Sequence, residues 1–326
     1  MNAFAFTRAD SVAGALRAAG GDAKFVAGGT TLVDLMKLGV ENPTTVIDIS
    51  RMPLAGVSRM PDNGLQIGAL ARNADVAHHP DVVNGYPVLS QALLAGASAQ
   101  LRNMATTGGN LLQRTRCVAF RDTAMACNKR SPGSGCAAIG GFNRNLAILG
   151  TSDRCIASHP SDQNVALTAL EATVQISGPK GERSVPIGDF YLLPGDTPER
   201  ETVLEPGELV TSVTVPPPAP GAKSAYLKLR DRASYEFALA SAAVVAIVRG
   251  GTIERVRIAM GGIGTKPWRN LEAEAALHGK PATAEQFAKA AQIVLSDAKP
   301  QSQNGFKVEL AKRCLIAALT TVTQGA

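Results

Sequence analysis

The run PPPAPG at residues 216–221 constrains the fold of this chain more than any other sequence feature. Proline fixes its own φ angle and lacks a backbone N–H, so consecutive prolines can join neither a helix interior nor a central strand. At 326 residues the chain also exceeds the length that one hydrophobic core usually supports. We therefore predict two domains, which cover residues 1–215 and 222–326.

The part before the prolines is predicted to form two α/β segments. The first combines the helix pattern SVAGALRAAG, the strand–turn–helix pattern KFVAGGTTLVDLMK and the β-branched strand TTVIDIS. The second begins with the strand GLQIGAL and continues with two helices, PVLSQALLAGA and SDQNVALTALEA, the latter capped by Ser161. The strands TVQIS and LVTSVTVP follow. We expect subdomains of about residues 1–55 and 56–215.

The part after the prolines is predicted to contain antiparallel strands followed by helices. SAYLKLR, ASAAVVAIVR and TIERVRIAMGG have strand character, and helical patterns occupy residues 284–296 and 306–320. In the last helix Leu310, Cys314 and Ala318 lie four residues apart on one stripe. Cys314 is therefore interpreted as a core residue.

Two glycine pairs follow predicted strands or precede predicted helices. VAGGTTL contains Gly28 and Gly29, and RNMATTGGNLL contains Gly108 and Gly109. Glycine lets the backbone approach a ligand closely, and the N–H groups of such a loop suit an anion such as a pyrophosphate. Neither loop matches G-x-G-x-x-G or a P-loop, and plain turns are the alternative interpretation.

Four cysteines lie close together in the sequence. Their spacings are C-x9-C, C-x8-C and C-x18-C, longer than the C-x2-C pairs of zinc ribbons or ferredoxins. The spacing alone leaves metal binding and unrelated free thiols open. The four residues are Cys117, Cys127, Cys136 and Cys155, and the turn-forming residues between them would let a loop bring their sulfurs together.

Positive charge is concentrated in the same segment. Seven basic and two acidic residues lie between Arg114 and Cys155, in a chain with a formal charge of +6. A solvated loop is one interpretation, and counter-charge for a bound anionic group is the other. A four-thiolate zinc site and a four-thiolate [4Fe–4S] centre both carry a net charge near −2, so electrostatics does not separate them.

Several function classes are disfavoured. A nucleic-acid site needs stacking aromatics, and the basic segment offers only Phe120 and Phe142. The longest largely apolar run, residues 237–248, is too short to span a bilayer. No Ser-His-Asp set, carboxylate pair or His-x-x-x-His pattern stands out. We therefore expect no nucleic-acid partner, no membrane span and no acid–base chemistry on a substrate.

Several motifs in chain order resemble those of a known family. KFVAGGTTLVDLMK, ASAQLRNMATTGGNLLQRTRC, ASHPSD, YLKLRDRASYEFALASAAV and GGIGTKPWR are similar to motifs of the FAD-binding subunits of molybdenum hydroxylases, the xanthine dehydrogenase and aldehyde oxidoreductase family. The likeness covers essentially the whole chain. The cysteine-bearing insertion is most similar to that of flavoprotein subunits of periplasmic aldehyde oxidoreductases.

The resemblance implies an α+β fold: a two-part FAD-binding domain of the vanillyl-alcohol-oxidase (PCMH) type, and a small C-terminal α+β domain like that of the CO dehydrogenase flavoprotein. It implies an insertion at residues 114–156. The implied FAD contacts are the pyrophosphate wrap of Lys24, Phe25, Val26, Ala27, Gly28, Gly29, Thr30, Thr31 and Leu32, and the diphosphate and flavin contacts of Thr106, Thr107, Gly108, Gly109 and Asn110. Asp162 would bind the sugar or polyol, Leu209 would line the pocket, and Lys228 would reach the polar edge of the flavin.

The resemblance also implies cofactors and partners. The four cysteines would hold a [4Fe–4S] cluster, and the chain would be the electron-transfer subunit of a heterotrimer. Its partners would be a large molybdenum-cofactor subunit that oxidises an aldehyde and a small [2Fe–2S] subunit, with an external electron acceptor. A stand-alone FAD-dependent oxidase or reductase and a zinc-stabilised binding module are the alternatives.

The N-terminus MNAFAFTRAD has no basic start followed by an apolar block, so we expect no secretion signal. Assembly is therefore expected in the cytoplasm, where thiols stay reduced. Periplasmic residence would require export of the folded complex on a partner's signal.

The double substitution Gly29→Asp plus Gly109→Asp tests the two-loop cradle. Two carboxylates beside a bound diphosphate would repel it, so we expect the purified variant to have lost its FAD. Flavin quantified after protein denaturation measures this, and a normal flavin content would refute the cradle.

Overall fold

The computed structural model describes residues 1–324, which form three β-sheets with helices packed on and between them. The first sheet is parallel, with the strand order β1-β3-β2. Its strands and helices are β1 Ala5–Arg8, α1 Val12–Ala18, β2 Lys24–Val26, α2 Leu32–Lys37 and β3 Thr45–Asp48. The central strand β3 is the buried one, as its β-branched sequence predicts.

The second sheet is antiparallel, with the order β4-β5-β8-β6-β7. Its strands are β4 Val57–Arg59, β5 Leu65–Gly68, β6 Thr173–Gly178, β7 Gly181–Pro186 and β8 Leu209–Val215. The helices between and after these strands are α3 Asn73–His78, α4 Pro80–Gly85, α5 Pro87–Ala95, α6 Ala99–Arg102, α7 Thr107–Leu111, α8 Val118–Arg121, α9 Asp162–Ala169 and α10 Ile187–Phe190.

The third sheet is antiparallel, with the order β12-β11-β10-β9, and follows the prolines. Its strands are β9 Lys223–Leu229, β10 Ala240–Arg249, β11 Thr252–Gly261 and β12 Trp268–Arg269. The last helices are α11 Leu271–Leu277, α12 Ala284–Val294 and α13 Phe306–Thr323. Cys314 is fully buried in the core between α13 and this sheet, which confirms its interpretation as a core residue.

Helices α5 and α9 lie between the second and third sheets. Every residue of α9 is buried, and Ser161 caps the helix by accepting a hydrogen bond from the N–H of Asn164. Residues of both sheets share one core with these helices, including Val174 of β6 and Ala243 of β10. The start of α9 therefore lies deep inside the protein, where the side-chain N–H groups of Gln163 and Asn164 donate to backbone carbonyl oxygens of residues 107–111. Within residues 1–324, Gln163 Oε1 and Asn164 Oδ1 are buried without a hydrogen-bond partner.

The C-terminal helix anchors the segment that carries the cysteines. Lys307 is fully buried, and its ammonium donates to the carbonyl oxygens of Asn145 (3.3 Å), Leu146 (2.9 Å) and Gly262 (2.6 Å). Nearby, the buried Asn143 accepts from the N–H of Gln303 at 2.9 Å. Burial lowers the pKa of Lys307 to about 7.

No helix within residues 1–324 is both long enough and apolar enough to cross a membrane.

Lys307 gives the fold a testable dependence on pH. Its pKa is lower in the folded than in the unfolded chain, so between about pH 7 and the ordinary lysine pKa the unfolded chain binds more protons. As pH rises through that window, this lysine therefore increases the free energy of unfolding by roughly 1 kcal/mol for each pH unit. Urea unfolding at pH 7 and pH 9 should show that the stability of the natural chain relative to Lys307→Met increases with pH.

The exposed Lys289, paired with Glu285 on α12, provides the control. The stability difference between the natural chain and Lys289→Met should stay constant over the same pH range. A constant difference for Lys307→Met as well would contradict this account of the buried ammonium.

Candidate flavin site

The first glycine loop connects β2 to α2 and lies directly against the second. A Cβ atom built on Gly28 would come within 1.8 Å of the carbonyl oxygen of Met104, a contact that no side chain can make. Gly29 has a φ of +72°, in the left-handed region that favours glycine. Both glycines are therefore required by the backbone, the first by close approach and the second by conformation.

The N–H groups of the first loop are available for a ligand. Within residues 1–324, no protein group accepts a hydrogen bond from the N–H of Gly29, Thr30, Thr31 or Leu32. Consecutive unpaired N–H groups in a tight loop form a concave site that binds anions. The first loop therefore has the unpaired N–H donors that the sequence predicts for a contact with a pyrophosphate.

The second loop uses its N–H groups internally. Thr106 caps α7 by accepting from the N–H of Gly109, and the N–H of Gly108 donates to Ala69 O at 2.8 Å. A Cβ atom on Gly108 would lie 3.1 Å from that of Ala69. This loop can therefore contribute a close backbone surface and the hydroxyl group of Thr106, while the free N–H donors come from the first loop.

A cavity of about 850 Å³ lies where the loops meet. Its volume is in the range of pockets that hold large organic ligands. Most of the residues predicted to contact FAD line it: Lys24, Phe25, Val26, Ala27, Gly28, Gly29, Thr30, Thr31, Leu32, Thr106, Gly108, Gly109 and Leu209.

Thr107 and Asn110 do not line this cavity and instead hold the second loop in place. The hydroxyl of Thr107 donates to Ala71 O at 3.2 Å, and Asn110 Oδ1 accepts from the hydroxyl of Ser161 at 2.8 Å. These bonds fix α7 against the β5–α3 connection and against the start of α9.

Asp162 and Lys228 form a buried ion pair with each other. Lys228 Nζ lies 2.8 Å from Asp162 Oδ2, and the two side chains are 4% and 8% exposed. The hydroxyl of Tyr226 donates to Asp162 Oδ1 at 2.5 Å, and burial, with Asp162 as the next cause, raises the pKa of Tyr226 well above its usual value. Asp162 borders a second cavity of about 150 Å³.

The two cavities share the wall formed by residues 158–160. His159 accepts from the N–H of Ser161 at Nδ1, and the edge of its ring packs on Tyr191, with ring centroids 4.8 Å apart. Burial lowers the pKa of His159 to about 4, so the ring is neutral at pH 7. This wall separates the cavity of the glycine loops from the cavity that Asp162 borders.

Comparison with known proteins decides the family. Residues 2–218 match the model of the FAD binding domain in molybdopterin dehydrogenase, and residues 224–322 match that of the CO dehydrogenase flavoprotein C-terminal domain. The chain belongs to the FAD-binding subunits of the molybdenum hydroxylase family. The predicted family and the α+β fold class are thereby confirmed, as are FAD binding and membership of an oxidoreductase family.

Individual relatives agree with this assignment. The chain is 50% identical to the aldehyde oxidoreductase FAD-binding subunit PaoB of Escherichia coli over 98% of each chain. It is 30% identical to the glyceraldehyde dehydrogenase medium chain of Sulfolobus acidocaldarius, over 92% of this chain and 90% of the relative. Its structure matches carbon monoxide dehydrogenase from Hydrogenophaga pseudoflava with a TM-score of 0.77 and 28% identity, over 98% of this chain and 97% of that one.

This FAD-binding subunit also has a row of alternating charges on the wall of the large cavity. Arg114 pairs with Glu41 at 2.5 Å and also with Glu201, and Lys129 Nζ lies 3.1 Å from the same Glu201. Burial alone would raise the pKa of Glu201, but Arg114 and Lys129 outweigh it and lower the pKa. Sequence reasoning missed Glu41 and Glu201 because both lie far along the chain from their partners, outside any motif.

The four cysteines of the subunit meet at one small cavity. Cys117, Cys127 and Cys155 are buried and Cys136 is partly exposed, and all four line a space of about 10 Å³. None of them forms a disulfide. Burial raises the pKa of the Cys117 thiol to about 11. Within the described residues 1–324, however, no group of three or more His, Cys, Asp or Glu is arranged to hold a metal ion.

Gly28→Ala tests the contact between the glycine loops. The added methyl group cannot coexist with the Met104 carbonyl, so the loops must separate and the N–H groups must leave their positions. We expect at least a tenfold weaker affinity for FAD, about 1.4 kcal/mol, in a fluorescence titration of the flavin-free protein.

Gly56→Ala is the matched control, because a Cβ atom there meets nothing within 4 Å. It should bind FAD as the natural chain does. Equal affinities for Gly28→Ala and Gly56→Ala would contradict the role of the contact.

Proposed function

We propose that this chain is the FAD-binding, electron-transfer subunit of a molybdenum-dependent aldehyde oxidoreductase. The observation that carries the proposal is the cavity of about 850 Å³ that both glycine loops line, with the free N–H groups of residues 29–32 beside it. The full-length likeness to an aldehyde oxidoreductase FAD-binding subunit supports the choice of substrate class. FAD, when bound, accepts and releases electrons one or two at a time.

The residues of this chain would position the cofactor in three places. The N–H groups of the first loop would hold the diphosphate, with the backbone of Gly108 and Gly109 on its other side. Asp162 would accept hydrogen bonds from the polyol through lone pairs that Tyr226 and Lys228 leave free. Lys228 would hold the Asp162 carboxylate in place for that contact, since it donates to Asp162 and to Ala95 O.

We also propose that the four cysteines hold a [4Fe–4S] cluster. The chemistry of the donor set supports this, since four thiols line one cavity in a segment rich in arginine and lysine. A cubane spreads its four thiolates farther apart than a single ion does. The space of about 10 Å³ must therefore widen for the cluster to enter.

The cluster would either store and transfer electrons or hold the cysteine segment together structurally. Basic residues of the chain would screen its negative charge. Arg130 already donates to the carbonyl oxygens of Ala119 and Phe120, at 2.6 and 2.8 Å, and so ties the two halves of the cysteine segment together. A tetrahedral zinc site remains the competing proposal. Zinc needs the four sulfurs closer together than a cubane does.

The subunit proposal extends to partners and location. A large molybdenum-cofactor subunit and a small [2Fe–2S] subunit would complete a heterotrimer, and an external acceptor would take electrons from the flavin. The proposed domains are residues 1–215 and 222–326, joined by the proline run. Assembly in the cytoplasm is proposed, with export on a partner's signal as the route to the periplasm.

The experiment is a visible absorption spectrum of the anaerobically purified protein, with flavin, iron and zinc measured on the same sample. The proposal predicts flavin bands above a broad iron–sulfur shoulder, with about four irons per chain. Flavin without iron would reject the cluster and keep the flavin site. A colourless protein that contains zinc would reject the electron-transfer function.

Cysteine substitutions sharpen this test. Cys136→Ser should lose most of the iron, because it removes one of four thiolate ligands. Cys314→Ser is the control, since Cys314 is a buried residue of α13 and lies in a different hydrophobic core from the other four. Equal iron contents in the two variants would show that the four-cysteine segment does not hold the metal.

A further inference from the structure

The large flavin cavity and the small cysteine cavity share part of one wall. Lys129, Cys155 and Ala157 line both of them. Cys155, a proposed ligand of the cluster, therefore also lies at the edge of the proposed flavin site. Lys129 is the charged residue of this shared wall.

Lys129 is held rigidly for a lysine. Its side chain is only 9% exposed, and Nζ donates to Pro198 O at 2.7 Å and lies 3.1 Å from Glu201 Oε1. Lysine usually keeps its ammonium group in water on a flexible stem. A buried lysine with two fixed partners keeps its charge in one place instead.

The charge of Lys129 is only partly balanced by its partner. Glu201 is shared with Arg114, which also pairs with Glu41, so the row from Glu41 to Lys129 ends in a cation on the cysteine side. Lys129 lines the cysteine cavity together with Cys155, as well as the flavin cavity. The ammonium therefore acts electrostatically on the cysteine site across the wall.

We propose that Lys129 couples the flavin site to the four-cysteine site by placing one fixed positive charge in the wall that both share. The inference rests on the proposed function. Reduction adds one negative charge to the cluster, from a net charge near −2 to −3, and adds electrons to the flavin. A cation fixed between the two stabilises the reduced form of each, and so raises both reduction potentials.

The test is a spectroelectrochemical titration of the purified protein with dithionite as reductant, with flavin and iron quantified first. Lys129→Met should make both the flavin and the cluster harder to reduce. We expect at least a tenfold lower ratio of reduced to oxidised cluster at a fixed potential, about 59 mV for a one-electron couple. Lys129→Arg keeps the charge and should restore both potentials most of the way.

Glu201→Gln provides an independent measurement of opposite sign. It removes the negative partner and leaves the ammonium in the wall, so both potentials should move upward. This variant carries the test if Lys129→Met loses a cofactor or fails to fold. Lys289→Met, which removes an exposed lysine from α12, is the control and should leave both potentials unchanged.

The outcomes separate this inference from the function on which it depends. A natural chain that contains flavin but no iron would remove the cluster, and the coupling with it. A natural chain that contains both, with a shift in only one centre or in neither for Lys129→Met and Glu201→Gln, would overturn the coupling and leave the proposed function in place.

Discussion

The contact between the Gly28 loop and the carbonyl of Met104 is the constraint on which the site depends. It brings the loop after β2 against the connection between α6 and α7, at a distance that only a residue without a side chain allows. Both loops line the large cavity, and within residues 1–324 the N–H groups of residues 29–32 beside it have no protein partner. A larger residue at position 28 would clash with the Met104 carbonyl and push the two loops apart.

Buried polar contacts elsewhere in the structure hold the cysteine segment next to that cavity. The row of charges from Glu41 to Lys129 connects the first sheet, the start of the cysteine segment and the loop before β8. From the other side, Lys307 and Asn143 hold residues 143–146 against the C-terminal helix. These polar contacts are buried, so each is costly to break, and together they fix a segment that has little regular secondary structure.

Much of the fold could be predicted from local sequence patterns. The prolines separated the third sheet from the others, and the β-branched strands and amphipathic helices gave β3, β8, α12 and α13 close to their observed bounds. The short strands β1, β4 and β7 were missed because they are exposed edges, where half-buried alternation is weak. The family likeness supplied only the type of fold; strand order was not predicted, since it depends on contacts far apart in the chain.

The site was predictable where a motif determines backbone shape, and less so where partners are distant. Gly28, Gly29, Gly108 and Gly109 were found because glycine itself carries the signal. That Asp162 and Lys228 neutralise each other, and that the N–H groups of Gly108 and Gly109 are already used, follows from tertiary contacts that no spacing encodes. The same holds for Lys129, which is one of seven basic residues in its segment and is distinguished from them only by what it touches.

The most direct measurement is a crystal structure of the protein with its bound FAD. The account predicts diphosphate oxygens within hydrogen-bonding distance of the N–H groups of residues 29–32, with the backbone of Gly108 and Gly109 against the opposite side. A diphosphate bound elsewhere, with those N–H groups left facing water, would contradict the central claim that the contact between the two glycine loops builds the flavin site.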